Sequence, residues 1–220
     1  NVKGADGEEQ IKYCKVLSFN YTNTYERLYL DKQQIQNSID YIHGKAKLFN
    51  TVENNNMVLG IDEYLTDERK DRETEFIAFK KFYQRIYKET GCKYKDWVET
   101  IREEYDDFLQ EKERIINRAN EYVGNDVQRM MHRLQASAVR DQKCKMHNVY
   151  IFGHSLDITD KDILRELILN ENVYTTIFYL NRDVMGQQIA NLVKIIGQDE
   201  LIRRTGGKSK TIEFKQQKEC

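Results

Sequence analysis

Short β-rich runs recur along this chain with amphipathic helical patterns between them, and that alternation restricts the fold more than any other feature. The strongest run is Asn148-Val149-Tyr150-Ile151-Phe152, which leads through Gly153-His154-Ser155 into a helix. Thr159-Asp160 is read as the cap of that helix, with Asp162 and Glu166 near its positive end. Residues 173–180 form another β-rich run, 185–196 an amphipathic helix and 200–204 a short one, and Gly206-Gly207 precedes a last strand at 211–214. Nearer the start, Val16-Leu17-Ser18-Phe19 reads as a buried strand, and Asn20-Tyr21-Thr22-Asn23 after it caps a helix that runs to Leu30. Ile39-Asp40-Tyr41-Ile42 is a second strand, stopped by His43-Gly44. A third is expected at 57–61, after the Asn54-Asn55-Asn56 turn. Strands alternating with helices imply a mostly parallel sheet covered on both faces, so the predicted class is α/β with three layers.

The region between these halves has a different texture. Phe76, Phe79, Phe82/Tyr83 and Ile86/Tyr87 recur three to four apart, and Gly91 stops the stripe. From Tyr94 a new stripe runs Val98, Ile101, Tyr105, Phe108, Ile115, Ala119, Tyr122, close to a heptad but with Lys112 out of place. Gly124-Asn125 breaks it, and Val127, Met130/Met131, Leu134 and Ala138 restart it. The heptad register fails after a few turns, which favours an antiparallel helical hairpin packing on itself over a coiled-coil partner surface. The predicted organisation is an α/β core of residues 1–67 and 145–220 with a large helical insertion at 68–144.

Composition narrows the function classes. Of the 220 residues, 32% are charged, above an average near ~25%, as long solvated helices require. Disorder is excluded by 14 Tyr, 9 Phe and 1 Trp, which supply large buryable surfaces. Lys+Arg 35 against Asp+Glu 36 leaves a net charge of -1, which argues against a nucleic-acid or anionic-lipid partner. No stretch approaches the ~20 apolar residues of a membrane span, and Asn1-Val2-Lys3-Gly4 has no signal-peptide pattern, so a cytoplasmic protein is expected. Cys14, Cys92, Cys144 and Cys220 show neither a disulfide framework nor zinc spacing, and no metal is expected. Proline is absent, so turns rest on Gly and Asn.

In an open parallel sheet, ligands sit beyond the carboxyl ends of the strands. Three polar clusters fall there: Asn20-Tyr21-Thr22, His43-Gly44 and Gly153-His154-Ser155-Leu156-Asp157. Glycine in the last two lets a ligand approach the backbone, and a helix starting after Ser155 offers amides to a phosphate or carboxylate. Each cluster is also an ordinary turn or cap, and His43 has the competing reading of a strand-ending histidine bonded to backbone. Gly153-His154-Ser155 also invites comparison with the G-x-S-x-G nucleophile elbow. Asp157 is too bulky for that turn and no histidine follows Ser155, which opposes a hydrolase of that type. His132 and His147 read as structural or exposed, and Asp62-Glu63 as a solvated turn.

Taken in order, Phe19-Asn20-Tyr21-Thr22, Ile42-His43-Gly44, Val58-Leu59-Gly60-Ile61-Asp62-Glu63, Ile151 through Asp157 and Gln188 through Gly197 resemble the AbiH family of bacterial phage abortive-infection proteins. The resemblance covers nearly the whole chain. It departs at the start, where the family opens with a strand and a loop reading N-G-F-D. Nothing like that loop precedes Asn20, so the chain reads as truncated or diverged there. The family in turn resembles the sirtuin-like, Rossmann-type NAD-binding fold. On that resemblance Asn20 and His43 would be catalytic, the first near the nicotinamide ribose and the second as base. Thr22, Gly44, Gly153, His154, Ser155 and Asp160 would contact the cofactor. The resemblance implies NAD or a related nucleotide as ligand, candidate NAD glycohydrolase activity without a metal, and a phage-derived trigger protein as partner. Self-association through the helical insertion is also expected. Two alternatives stand beside it: a non-enzymatic nucleotide sensor, and a helical protein-interaction module with a degenerate sheet, whose Tyr94–Tyr122 stripe would face solvent.

Overall fold

The computed structural model describes residues 2–3, 9–10, 15–29, 39–51, 53–60 and 74–217. Packing divides the chain into two compact units, 1–96 and 97–220. Among the described residues the first unit holds a minimal antiparallel pair, β1 (Val2–Lys3) and β2 (Glu9–Gln10). It also holds a parallel pair, β3 (Val16–Ser18) and β4 (Ile39–Tyr41), in the register Val16↔Ile39, Leu17↔Asp40, Ser18↔Tyr41. Helix α1 (Thr24–Tyr29) follows β3, as the asparagine-rich exit predicts; Leu30 lies outside the described residues. A 3-10 turn (Thr74–Phe79) leads into α2 (Lys81–Tyr87), and α3 (Lys93–Glu121) begins soon after Gly91. The first turn of α3 is capped from a distance: the buried Asp40 carboxylate on β4 accepts from the Tyr94 N–H at 3.0 Å. Burial pushes the Asp40 carboxyl up, and that amide bond opposes the shift.

The third strand expected at 57–61 does not form at 57–60, and Ile61 lies outside the described residues. Several backbone groups there are met by side chains and a loop instead of a ladder. The Val58 N–H donates to His43 O at 2.8 Å, and Val58 O accepts from the Tyr21 hydroxyl at 2.6 Å. Met57 O accepts from Lys88 Nζ at 2.5 Å, and the Leu59 N–H donates to Gln84 Oε1 at 2.9 Å. These bonds occupy groups that a strand ladder would otherwise use.

The second unit holds the long helices and a three-stranded parallel sheet. α3 and α4 (Asp126–Arg140) run antiparallel, the hairpin read from the sequence: the Tyr122 and His132 rings lie 4.7 Å apart at the turn. At the far end Lys112 Nζ donates to Arg140 O at 2.6 Å and Gln142 O at 3.3 Å. The lysine that interrupts the heptad is therefore the cation that caps the C-terminus of α4. Along α3, Tyr94, Val98 and Ala119 are buried and Ile101, Tyr105, Phe108, Ile115 and Tyr122 half-buried, so this stripe does not face solvent.

β5 (His147–Ile151), β6 (Val173–Tyr179) and β7 (Ile212–Gln216) pair in that order, all parallel. α5 (Lys161–Ile168) links the first two strands, and α6 (Arg182–Ile196) with α7 (Gln198–Thr205) links the last two. The central strand β6 is largely buried on both faces, as a strand between two neighbours and under helices must be. Ile177 and Ile212 from the sheet join Leu164, Ile168, Leu192, Ile195 and Leu201 from the helices in one core. The fold is thus α/β, with its parallel strands in two small sheets of two and three strands.

Candidate functional site

In the first unit the β3–β4 register carries past both strand ends. The Ile42 N–H donates to Ser18 O at 3.0 Å; Asn20-Tyr21-Thr22 follow one residue beyond Ser18, and His43-Gly44 follow Ile42 directly. Asn20 is exposed; its N–H donates to Ser18 Oγ at 3.3 Å, and its carbonyl accepts from the same hydroxyl at 3.2 Å. Its carboxamide is left facing solvent. Thr22 is exposed and its hydroxyl lies 3.0 Å from that of Thr24, the first residue of α1. His43 is only 4% exposed. Its ring stands edge-on to Phe19 at 5.8 Å between centroids and tilted against Tyr21 at 6.4 Å. β3 and β4 thus bring the predicted amide and imidazole to one edge, the amide outward and the imidazole beneath two aromatic rings.

Gly44 has φ +77, and a Cβ there would stand 2.0 Å from Asn56 O. The glycine is required by the close approach of the chain's own backbone, and Asn56 fills the space a ligand would use. Beside it Lys45 Nζ pairs with Glu26 at 2.5 Å and lies 5.2 Å from the Tyr41 ring centroid. Burial, with the Glu26 carboxylate alongside, pushes the Tyr41 phenol up to about 12.

In the second unit the exit from β5 is a strained, tightly held loop. Gly153 has φ +60 with open space where a Cβ would be, and Leu156, fully buried, has φ +57. His154 Nδ1 accepts from the Leu156 N–H at 2.9 Å. Its Nε2 faces the buried Asp160 carboxylate at 3.6 Å. Both ring nitrogens are thus turned into the loop. An Nδ1 acceptor fixes the proton of the neutral ring on Nε2, toward Asp160.

Asp160 is the N-cap residue of α5, but its side chain makes no capping bond there and faces His154. Asp157 caps the 3-10 turn Ile158–Asp160 just before α5, accepting from the Thr159 N–H at 3.0 Å, so the expected cap at Thr159-Asp160 holds in position but not in its side-chain bond. Ser155 is exposed, and Phe152 stacks on Phe178 with 4.0 Å between ring centroids.

Two residues without a role in the sequence reading hold this loop from below. Gln188 Nε2 donates to His154 O at 3.1 Å and Phe178 O at 3.3 Å, and Asn191 Nδ2 donates to Ser155 O at 2.9 Å. Both are buried on α6. The signal was present in the pattern: two amides three apart on the face of a helix that otherwise buries Leu192, Ile195 and Ile196.

Among the described residues no group of three or more His, Cys, Asp or Glu could hold a metal ion. No helix among them is long and apolar enough to cross a membrane.

The family model for bacteriophage abortive infection AbiH matches residues 3–180, from β1 through β6. The chain belongs to the AbiH family. Its role is accordingly in phage abortive infection. No curated protein and no solved structure matches this AbiH chain. The matched residues contain all three strand-exit clusters, whereas α6, with Gln188 and Asn191, lies beyond them.

Proposed function

We propose that this AbiH protein acts in abortive infection by binding NAD or a related nucleotide at the carboxyl ends of its parallel strands. One observation carries the reading: β3 and β4 pair in parallel register, so Asn20 and His43 leave adjacent strands at one edge. A Rossmann-like, sirtuin-like context is part of the proposal, supported by parallel strands joined through helices on both sides of β6. In this reading the exposed Asn20 carboxamide holds the ribose. Gly153 and Ser155 at the β5 exit offer an open backbone and a hydroxyl to the same class of ligand.

The reaction such a pair would support is hydrolysis of the nicotinamide–ribose bond. Water attacks the ribose anomeric carbon, the C–N bond breaks, and nicotinamide leaves neutral with the bonding electrons. The water proton passes to the His43 imidazole acting as base. The burial of His43 under Phe19 and Tyr21 favours a second reading, a sensor that binds the nucleotide without turning it over.

One experiment separates them. The purified chain is incubated with NAD while nicotinamide release is followed by chromatography and ligand stabilisation by thermal melting. Release that His43→Ala abolishes establishes the hydrolase; stabilisation that survives His43→Ala without release establishes the sensor. Neither effect with NAD, ADP-ribose or ATP overturns nucleotide binding altogether.

A further inference from the structure

The helical hairpin buries one side of α4 and leaves the opposite side apolar. Ala136 is buried, and Arg129, His132 and Val139 beside it are half-buried. At about 100° per residue, Val127, Met130, Met131, Leu134 and Ala138 lie within one arc pointing the other way. Val127 is 72% exposed, Met130 64%, Met131 58% and Leu134 60%, so an amphipathic helix here presents its apolar stripe to water. The stripe is ~16 Å long. One rim is uncharged, Gln128 and Gln135; the other carries Arg133, Arg140 and Asp126, whose exposed carboxylate also meets Arg129 at 3.2 Å.

We propose that this stripe is the contact between two copies of the chain, paired antiparallel across a two-fold axis between Met131 and Leu134. The charged rim is what selects a second copy. Asp126 and Arg140 lie near opposite ends of α4 on the same rim, centred on almost the same point as Met131 and Leu134. Antiparallel pairing therefore sets Asp126 level with the partner's Arg140 at each end, while Met131 meets the partner's Leu134 and Val127 the partner's Ala138. Near the axis Arg133 meets the partner's Arg133, a repulsive contact.

A second feature lies on the uncharged rim. A concavity of about 390 Å³ between α3 and α4, lined by Arg118, Tyr122 and Gln135 among others, opens beside Met131 and adds surface that a second copy covers. A single helix stripe is small against the ~800 Å² per partner of a standard interface, so the pair is a weak dimer in the micromolar range. Methionine suits such a contact because its flexible side chain repacks at little cost.

Sedimentation of the whole chain from low to high micromolar concentration tests this. A monomer–dimer equilibrium is expected, with Met131→Glu weakening it at least about 30-fold. Arg140→Asp weakens it, the exchange Asp126→Arg with Arg140→Asp restores it, and Arg133→Ala tightens it. These side chains are exposed, so circular dichroism and melting should show each variant folded. A chain that stays monomeric throughout, or one whose association ignores Met131→Glu, overturns the proposal. Association weakened by Arg140→Asp but not restored by the exchange overturns the antiparallel pairing.

Discussion

Arg204 on α7 is 1% exposed and meets five acceptors. Its guanidinium donates to Glu200 at 2.5 Å, Glu171 at 2.7 Å, Leu169 O at 2.9 Å, Thr211 Oγ1 at 3.2 Å and Asn170 O at 3.3 Å. That fork ties α7 to the chain on either side of it. Arg204→Met should cost about 3 kcal/mol in urea unfolding, because buried carbonyls lose their donor. Hydrogen bonds from Arg203 and Arg204 hold the Glu200 carboxyl down at about 2, against its usual 4.5. The folded value lies below the unfolded one, so the contribution is fully present above pH 4.5 and is lost as pH falls toward 2. Glu200→Gln should flatten the melting temperature across that window.

Gly44→Ala meets both a left-handed φ of +77 and the Asn56 carbonyl, and should destabilise by at least about 2 kcal/mol. The sequence marks Gly44 as a special backbone position. Whether a ligand or the chain's own Asn56 fills the space depends on a residue twelve positions on. Arg204 is less legible still, because an arginine near the end of an amphipathic helix reads as a solvated charge.

At the scale of elements, periodicity located most of the fold. β5, β6, β7 and α6 fall within a few residues of where the alternation of patterns put them, because each repeats its own period over several residues. Three local exceptions have physical causes. Residues 57–59 have strand composition but give backbone groups to Tyr21, Gln84, Lys88 and His43. Lys112 breaks the α3 stripe because it reaches the end of α4. Asp160 stands at the N-cap of α5 but turns its carboxylate to His154, and Asp157 caps the 3-10 turn before it.

The buried amides on α6 hold the backbone of the β5 exit. Asn191→Ala should strip Ser155 O of its donor and cost about 1–3 kcal/mol. Amide hydrogen exchange should rise across residues 153–156 while the core of β6 stays protected.

At the scale of the molecule, the chain is two compact units, each with a parallel strand exit that carries polar residues. Stability and function should separate there. Asn20 is exposed and its side chain faces solvent, so Asn20→Ala should leave unfolding free energy within about 0.5 kcal/mol. If the proposed nucleotide site is correct, the same variant loses nucleotide binding and the reduction in phage plaques conferred by the intact protein. A plaque assay on cells carrying folded Asn20→Ala checks this. Unchanged protection together with unchanged binding removes Asn20 from the site.

The order of strands and helices, the antiparallel hairpin and membership of the AbiH family were all readable from the chain. Periodicity, turn residues and motif order belong to residues close in sequence or to their succession. Which side chains lie open was decided by tertiary structure alone. Folding covered His43 with Phe19 and Tyr21 while leaving Asn20 outside, filled the space beside Gly44, and turned the stripe of α4 outward while that of α3 went in. Burial is set by residues that arrive from elsewhere in the chain, and no local pattern records where they come to rest.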